Sequence, residues 1–132
     1  MVNSIELGKV INTILEESLN TDPQSKRIEI YPLVADNDAK YPFVVYQRNC
    51  VSTGISKDGV HEDTNTVKIT VVASNYPESV AIAQKVRKGF EFKYRPFEDP
   101  TIKVYYSVLV SSDESFEGDA FIQTLTFTMK TN

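Results

Sequence analysis

TVKITVVASNYPESVAIAQKVRKGF, residues 66–90, changes its repeat length halfway along. Up to Ser74 the period is two. Val67, Ile69, Val71 and Ala73 share one side, and Thr66, Lys68 and Thr70 share the other, as in a strand with one buried face. Asn75-Tyr76-Pro77-Glu78 then reads as a helix start. An Asn side chain accepts a free backbone N–H there, and proline suits the first turn. From Tyr76 to about Glu91 the period lengthens: Ile82, Ala83, Val86 and Phe90 recur at three- and four-residue steps. Lys85, Arg87 and Lys88 take the wet side near the C-terminal end, where positive charge complements the helix dipole.

Towards the N-terminus, the spacing of Leu7, Val10, Ile11, Ile14 and Leu15 predicts a second one-sided helix. Asn3 and Glu6 suit its start, Glu16 and Glu17 its wet face, and Asn20-Thr21-Asp22-Pro23 its end. RIEIYPLV (27–34) reads as a short strand, confined by Pro32 to an edge or a short run. ADNDA (35–39) is a polar turn. The stretch 42–49 is a strand apolar on both faces at its start, which predicts cover on two sides. CVSTGISKDGVHEDTN (50–65) is long and polar, with an Asp58-Gly59 reversal suited to a tight hairpin turn. It is read as two strands running past the sheet as an arm.

Towards the C-terminus, FKYRPFEDP (92–100) is a connection, and 103–111 and 120–130 are strands. SDESFEGD (112–119), with four acids and Gly118, reads as a solvated hairpin loop between them. The expected fold is α+β: a mostly antiparallel sheet of four to five strands, two helices packed on one face, and a long hairpin arm. A chain of 132 residues is expected to form a single domain over 1–132.

A net charge of −4 argues against a general nucleic-acid binder, which needs a basic face against phosphate. The lone cysteine, Cys50, has no second cysteine to pair with and suits a reducing compartment. No run is long and apolar enough to span a membrane, and the first residues lack the pattern of a signal peptide. The cytoplasm is therefore the expected place of synthesis.

Chemistry is sparse. His61 is the only histidine, beside Glu62 and Asp63 and close to Asp58, in a stretch without the rigid frame a metal site needs. Cys50 is expected to be a strand-end thiol rather than a nucleophile. No phosphate-binding glycine loop, GxSxG, CxxC or HExxH occurs. No catalytic residue, metal site or cofactor is expected, and the protein is not expected to be an enzyme. The tyrosines 41, 46, 94, 105 and 106 suit base stacking, but no basic stripe runs between them.

The stretch IYPLVADNDAKYPFVVYQR, the KDG-bearing loop, and TVKITVVASNYPES with its helix resemble the tail-completion family of long-tailed phages, the tail terminators and tail-to-head joining proteins. Pro42 to Tyr46, Val67 to Ser74, Tyr76 to Phe90 and Phe121 to Met129 carry the resemblance, which spans most of the chain. Phe121 stands where that family more often has tyrosine, and the 50–65 stretch carries few positive charges for contact with DNA.

The resemblance implies a structural, prophage-encoded assembly protein of the virion tail. It would form a ring, usually a hexamer, at the head-proximal end of the tail tube, ending polymerisation or joining the tail to the head connector. Its partners would be itself, the tail tube protein and the head connector protein, with DNA passing through without specific binding. Gly54, Lys57, Asp58, Gly59, His61 and Asp63 are the expected contacts to a neighbour or to the tube. The competing readings are a small α+β ligand-binding domain or enzyme, with a pocket between helix 76–91 and the sheet, and a nucleic-acid-binding module.

Overall fold

In the computed structural model, residues 7–21, 27–55, 61–92 and 104–131 are described. The elements run α1 (Leu7–Leu19), β1 (Glu29–Pro32), β2 (Phe43–Ile55), β3 (His61–Ala73), α2 (Tyr76–Phe90), β4 (Val104–Glu117) and β5 (Ala120–Thr131). The five strands form one sheet in the order β1-β2-β3-β5-β4. All neighbours are antiparallel except β1 and β2. Both helices pack on one face, α2 over β3, β5 and β4, and α1 over β1 and β2 and against α2. This is the α+β arrangement that the periodicities predict.

The helix stripes become the core. Leu7, Val10, Ile11, Ile14, Leu15 and Leu19 of α1 are buried, as are Ile82, Val86 and Phe90 of α2. Val44, Val67, Ile69, Val71, Leu125, Phe127 and Met129 meet them from the sheet. Each such side chain contributes about 1.5–3 kcal/mol on burial. Phe90 and Phe127 pack ring to ring at 5.1 Å across the layers. Asn75 caps α2, its Oδ1 accepting the Glu78 N–H at 2.9 Å. α1 ends at Leu19, ahead of Pro23, and Asn20 ties that end to the chain entering β1. Asn20 Oδ1 accepts the Ile28 N–H at 2.8 Å, while Nδ2 donates to Ile28 O at 3.0 Å. The proposed start at Asn3 and Glu6 lies outside the described residues.

Four features differ from the sequence reading. First, β1 is parallel to β2, Glu29 pairing with Phe43 and Pro32 with Tyr46. The segment between them carries the chain back to the end of the sheet where β1 began. Second, the second cover over β2 is made of side chains, not a layer: Tyr31 packs edge-on to Phe43 at 6.0 Å, and Tyr41 stacks on it at 5.8 Å. Third, the two strands expected over 50–65 are present, but most of their length stays in the sheet instead of running past it. β2 passes an irregularity between Arg48 and Cys50 and continues to Ile55, and β3 pairs with β5 down to Asp63 opposite Thr131. Only the rungs Gly54–Glu62 and Ile55–His61 run past the end of β5. Fourth, residues 112–117 are strand, not loop. Glu117 pairs with Ala120 across a two-residue turn, Gly118-Asp119, with φ of 55° and 67°. Positive φ at both positions is the twist-matched hairpin turn.

Candidate interaction surfaces

Of the residues singled out in the sequence, Gly54, His61 and Asp63 lie at one end of the β2–β3 pair. Gly54 is exposed and faces Glu62, and His61 faces Ile55. Asp63 is half-buried between Thr53 on β2 and Thr131 on β5. Lys57, Asp58 and Gly59 lie outside the described residues. Cys50 is opposite Thr66, five rungs from the Ile55–His61 pair, about 16 Å at the rise of a strand. Among the described residues no group of three His, Cys, Asp or Glu side chains is placed to hold a metal ion, and no helix is long and apolar enough to cross a membrane.

The face of the sheet away from the helices is polar over much of its width and rich in threonine. Thr66 pairs with Thr128, Thr70 with Thr124 and Lys68 with Thr126. Its apolar end is Val72 opposite Ile122, next to Phe43. On the helix side, Lys85, Arg87 and Lys88 are exposed as predicted. Arg87 Nε reaches Glu91 Oε1 at 2.8 Å within α2.

The acidic stretch has a structural task that its composition hides. Glu114 Oε2 accepts the Tyr76 hydroxyl at 2.9 Å and Gln123 Nε2 at 3.0 Å. Gln123 Nε2 also lies 3.3 Å from Ser79 Oγ, which donates to Tyr76 O at 2.7 Å. This chain of bonds pins the first turn of α2 to the β4–β5 hairpin. The donors from Gln123 and Tyr76 hold the Glu114 carboxyl below its ordinary range, and donating to that carboxylate, beside its negative charge, holds the Tyr76 phenol above its own.

Sequence reasoning did not single out the apolar residues that the sheet edges expose. Leu33 and Val34 are 70% and 74% exposed immediately after β1. Leu33 has φ of 65°, and the Val34 N–H donates back to Pro32 O at 2.7 Å. That is a tight three-residue turn of the rarer, strained kind. On the opposite edge Val110 and Phe116 are 61% and 59% exposed. Val110 falls at an irregularity of β4 between Leu109 and Ser111. The available sequence signal was the apolar Leu33-Val34 pair left over after a proline-ended strand.

No family model matches the chain, and no curated protein matches it. Among solved structures, a chain of the virion of the native gene transfer agent (GTA) particle is similar to it, with a TM-score of 0.70 at 12% sequence identity. The alignment covers 96% of this chain and 97% of the other, so the two share their fold over nearly their whole length.

Proposed function

We propose that this chain is a structural, non-enzymatic component of a phage-like virion. It forms a ring at the head-proximal end of the tail tube and there ends tube polymerisation or joins the tail to the head connector. The observation that carries this reading is the end-to-end likeness in fold to a virion chain. The tail-completion pattern of residues 42–46, 67–74, 76–90 and 121–129 supports the narrower role.

In this reading the single-domain chain acts as one rigid tile of the ring. The hairpin end bearing Gly54, Lys57, Asp58, Gly59, His61 and Asp63 contacts the tail tube or a neighbouring subunit. DNA passes through the ring without being gripped, as suits a net charge of −4. Assembly takes place in the host cytoplasm and the product resides in the virion tail.

The test is electron microscopy of particles assembled with and without this protein. Tails of uncontrolled length, or tails unattached to heads, are expected when it is missing. Normal particles in its absence overturn the reading.

A further inference from the structure

Strand edges are normally guarded, because their open N–H and C=O groups pair with whatever strand arrives. Here both edges of the sheet display apolar side chains. Among the described residues, the exposed large apolar side chains are Leu33, Val34 and Tyr41 on the β1–β2 side and Tyr106, Val110 and Phe116 on β4. Tyr76 is the remaining one, and it is bonded to β4 through Glu114. β3 and β5 carry none.

The two edges also match in height. Val110 lies between Leu109, which faces Phe127, and Ser111, which faces Thr126. Phe127 and Thr126 face Val67 and Lys68, and these face Arg48 and Gln47. At that level on the far edge, the Leu33 N–H donates to Tyr46 O at 2.9 Å. The registers therefore put Val110 and the Leu33–Val34 corner on the same rungs at opposite edges, so one copy can present the first to the second of its neighbour. A closing head-to-tail contact requires this.

Charge selects the same region. Residues 104–112 (VYYSVLVSS) carry no charge, and residues 47–55 (QRNCVSTGI) carry only Arg48. Beyond the contact level both edges turn acidic: Glu114 and Glu117 flank the Ser115 rung on β4, and that rung leads through Ile122, Val72 and Phe43 to Glu29 on β1. An interface centre is depleted of charge, and like charges juxtaposed disfavour contact. The edges thus meet at mid-height and splay where they are acidic, which opposes continuous strand pairing.

We infer that the Val110 edge of one copy docks on the Leu33–Val34 corner of a second copy, and that this one contact repeats around the ring. The inference rests on the ring reading and specifies its subunit interface. The strained turn at Leu33 and the irregularity at Val110 are what turn these two apolar groups outward.

The test mixes two single-cysteine proteins, Val34→Cys and Val110→Cys, each carrying Cys50→Ser, under mild oxidation, both as concentrated free protein and in assembled particles. The expected result is a disulfide heterodimer far above its statistical share in at least one setting. The doubly substituted protein should give a ladder of linked copies. Leu33→Asp should abolish the excess without lowering the thermal midpoint. A statistical mixture of dimers in both settings overturns the inference, as does an equal yield from a control pair of Val34→Cys with Lys85→Cys. Should either variant fail to fold, Leu33→Cys with Ser111→Cys asks the same question. Uncontrolled tails together with statistical cross-linking remove this contact and leave the proposed placement. Normal tails together with an excess heterodimer remove the placement and leave the contact.

Discussion

At Gly89 the backbone of α2 lies close against α1. A Cβ there would collide with Ser18 Oγ and lie 3.1 Å from Ser18 Cβ and 3.5 Å from Ile14 Cγ2. Two effects oppose each other in Gly89→Ala. Helix propensity favours alanine by about 1 kcal/mol, while forcing a methyl into packed contact costs about 1–3 kcal/mol. The Ser18 hydroxyl can rotate away, but its Cβ cannot, so the second effect wins. Gly89→Ala is expected to lower the thermal midpoint, and the double change with Ser18→Gly to recover part of the loss. A midpoint at or above the wild type would refute this account. A second prediction belongs to the Tyr76–Glu114 bond. The Glu114 carboxyl is depressed, so its contribution is present above the ordinary carboxylate range and is lost as pH falls through its lowered value. The Tyr76 phenol is raised, so its contribution is present below the ordinary phenol range and is lost as pH rises through its higher value. Melting curves against pH should therefore show a shallower acid limb in Glu114→Ala and a shallower alkaline limb in Tyr76→Phe. Limbs parallel to the wild type in both would deny the bond its role.

At the scale of elements, the β4–β5 hairpin depends on a turn that only certain residues enter easily. Gly118 has φ of 55° and open space around it, so the cost of Gly118→Ala is conformational, about 1 kcal/mol. Gly118→Asn should cost less, because asparagine tolerates the left-handed region. Denaturant midpoints that rank alanine above asparagine would contradict the turn assignment. The layer contact is a larger matter. Phe127 is fully buried against Phe90, and truncating such a ring costs about 3–5 kcal/mol, against a total stability of about 5–15 kcal/mol for a typical domain. Phe127→Ala should therefore be unfolded or close to it at physiological temperature by circular dichroism. A cooperative transition near the wild-type midpoint would mean that the core lies elsewhere. The acidic 113–117 stretch was illegible as a strand for a reason at this scale. β4 is an edge strand with both surfaces exposed along that length, so no core selects an apolar alternation. Glu114, on the helix side of the sheet, meets Gln123 and Tyr76 instead of apolar neighbours.

For the whole molecule, the ring reading predicts particles whose mass is a multiple of 14.9 kDa in light scattering at high protein concentration or after addition of tail tubes. Val110→Lys should shift the onset of assembly to higher concentration by at least about tenfold, the effect of losing an interface anchor. Assembly unchanged in Val110→Lys would move the contact away from the sheet edges.

Sequence alone determined the parts whose signal is local. The switch from period two to period 3.6 at Ser74–Asn75 marks β3 and α2, and the apolar stripes of both helices and of β5 named their own buried faces. Each arises because one side of an element must leave water, and that requirement is written residue by residue. Tertiary structure alone decided the parallel entry of β1, the pairing of the polar start of β3 with β5, and the strand character of residues 112–117. It alone turned Leu33 and Val110 outward at one height. These depend on which strand lies beside which, and backbone pairing accepts nearly any side chain that does not have to be buried.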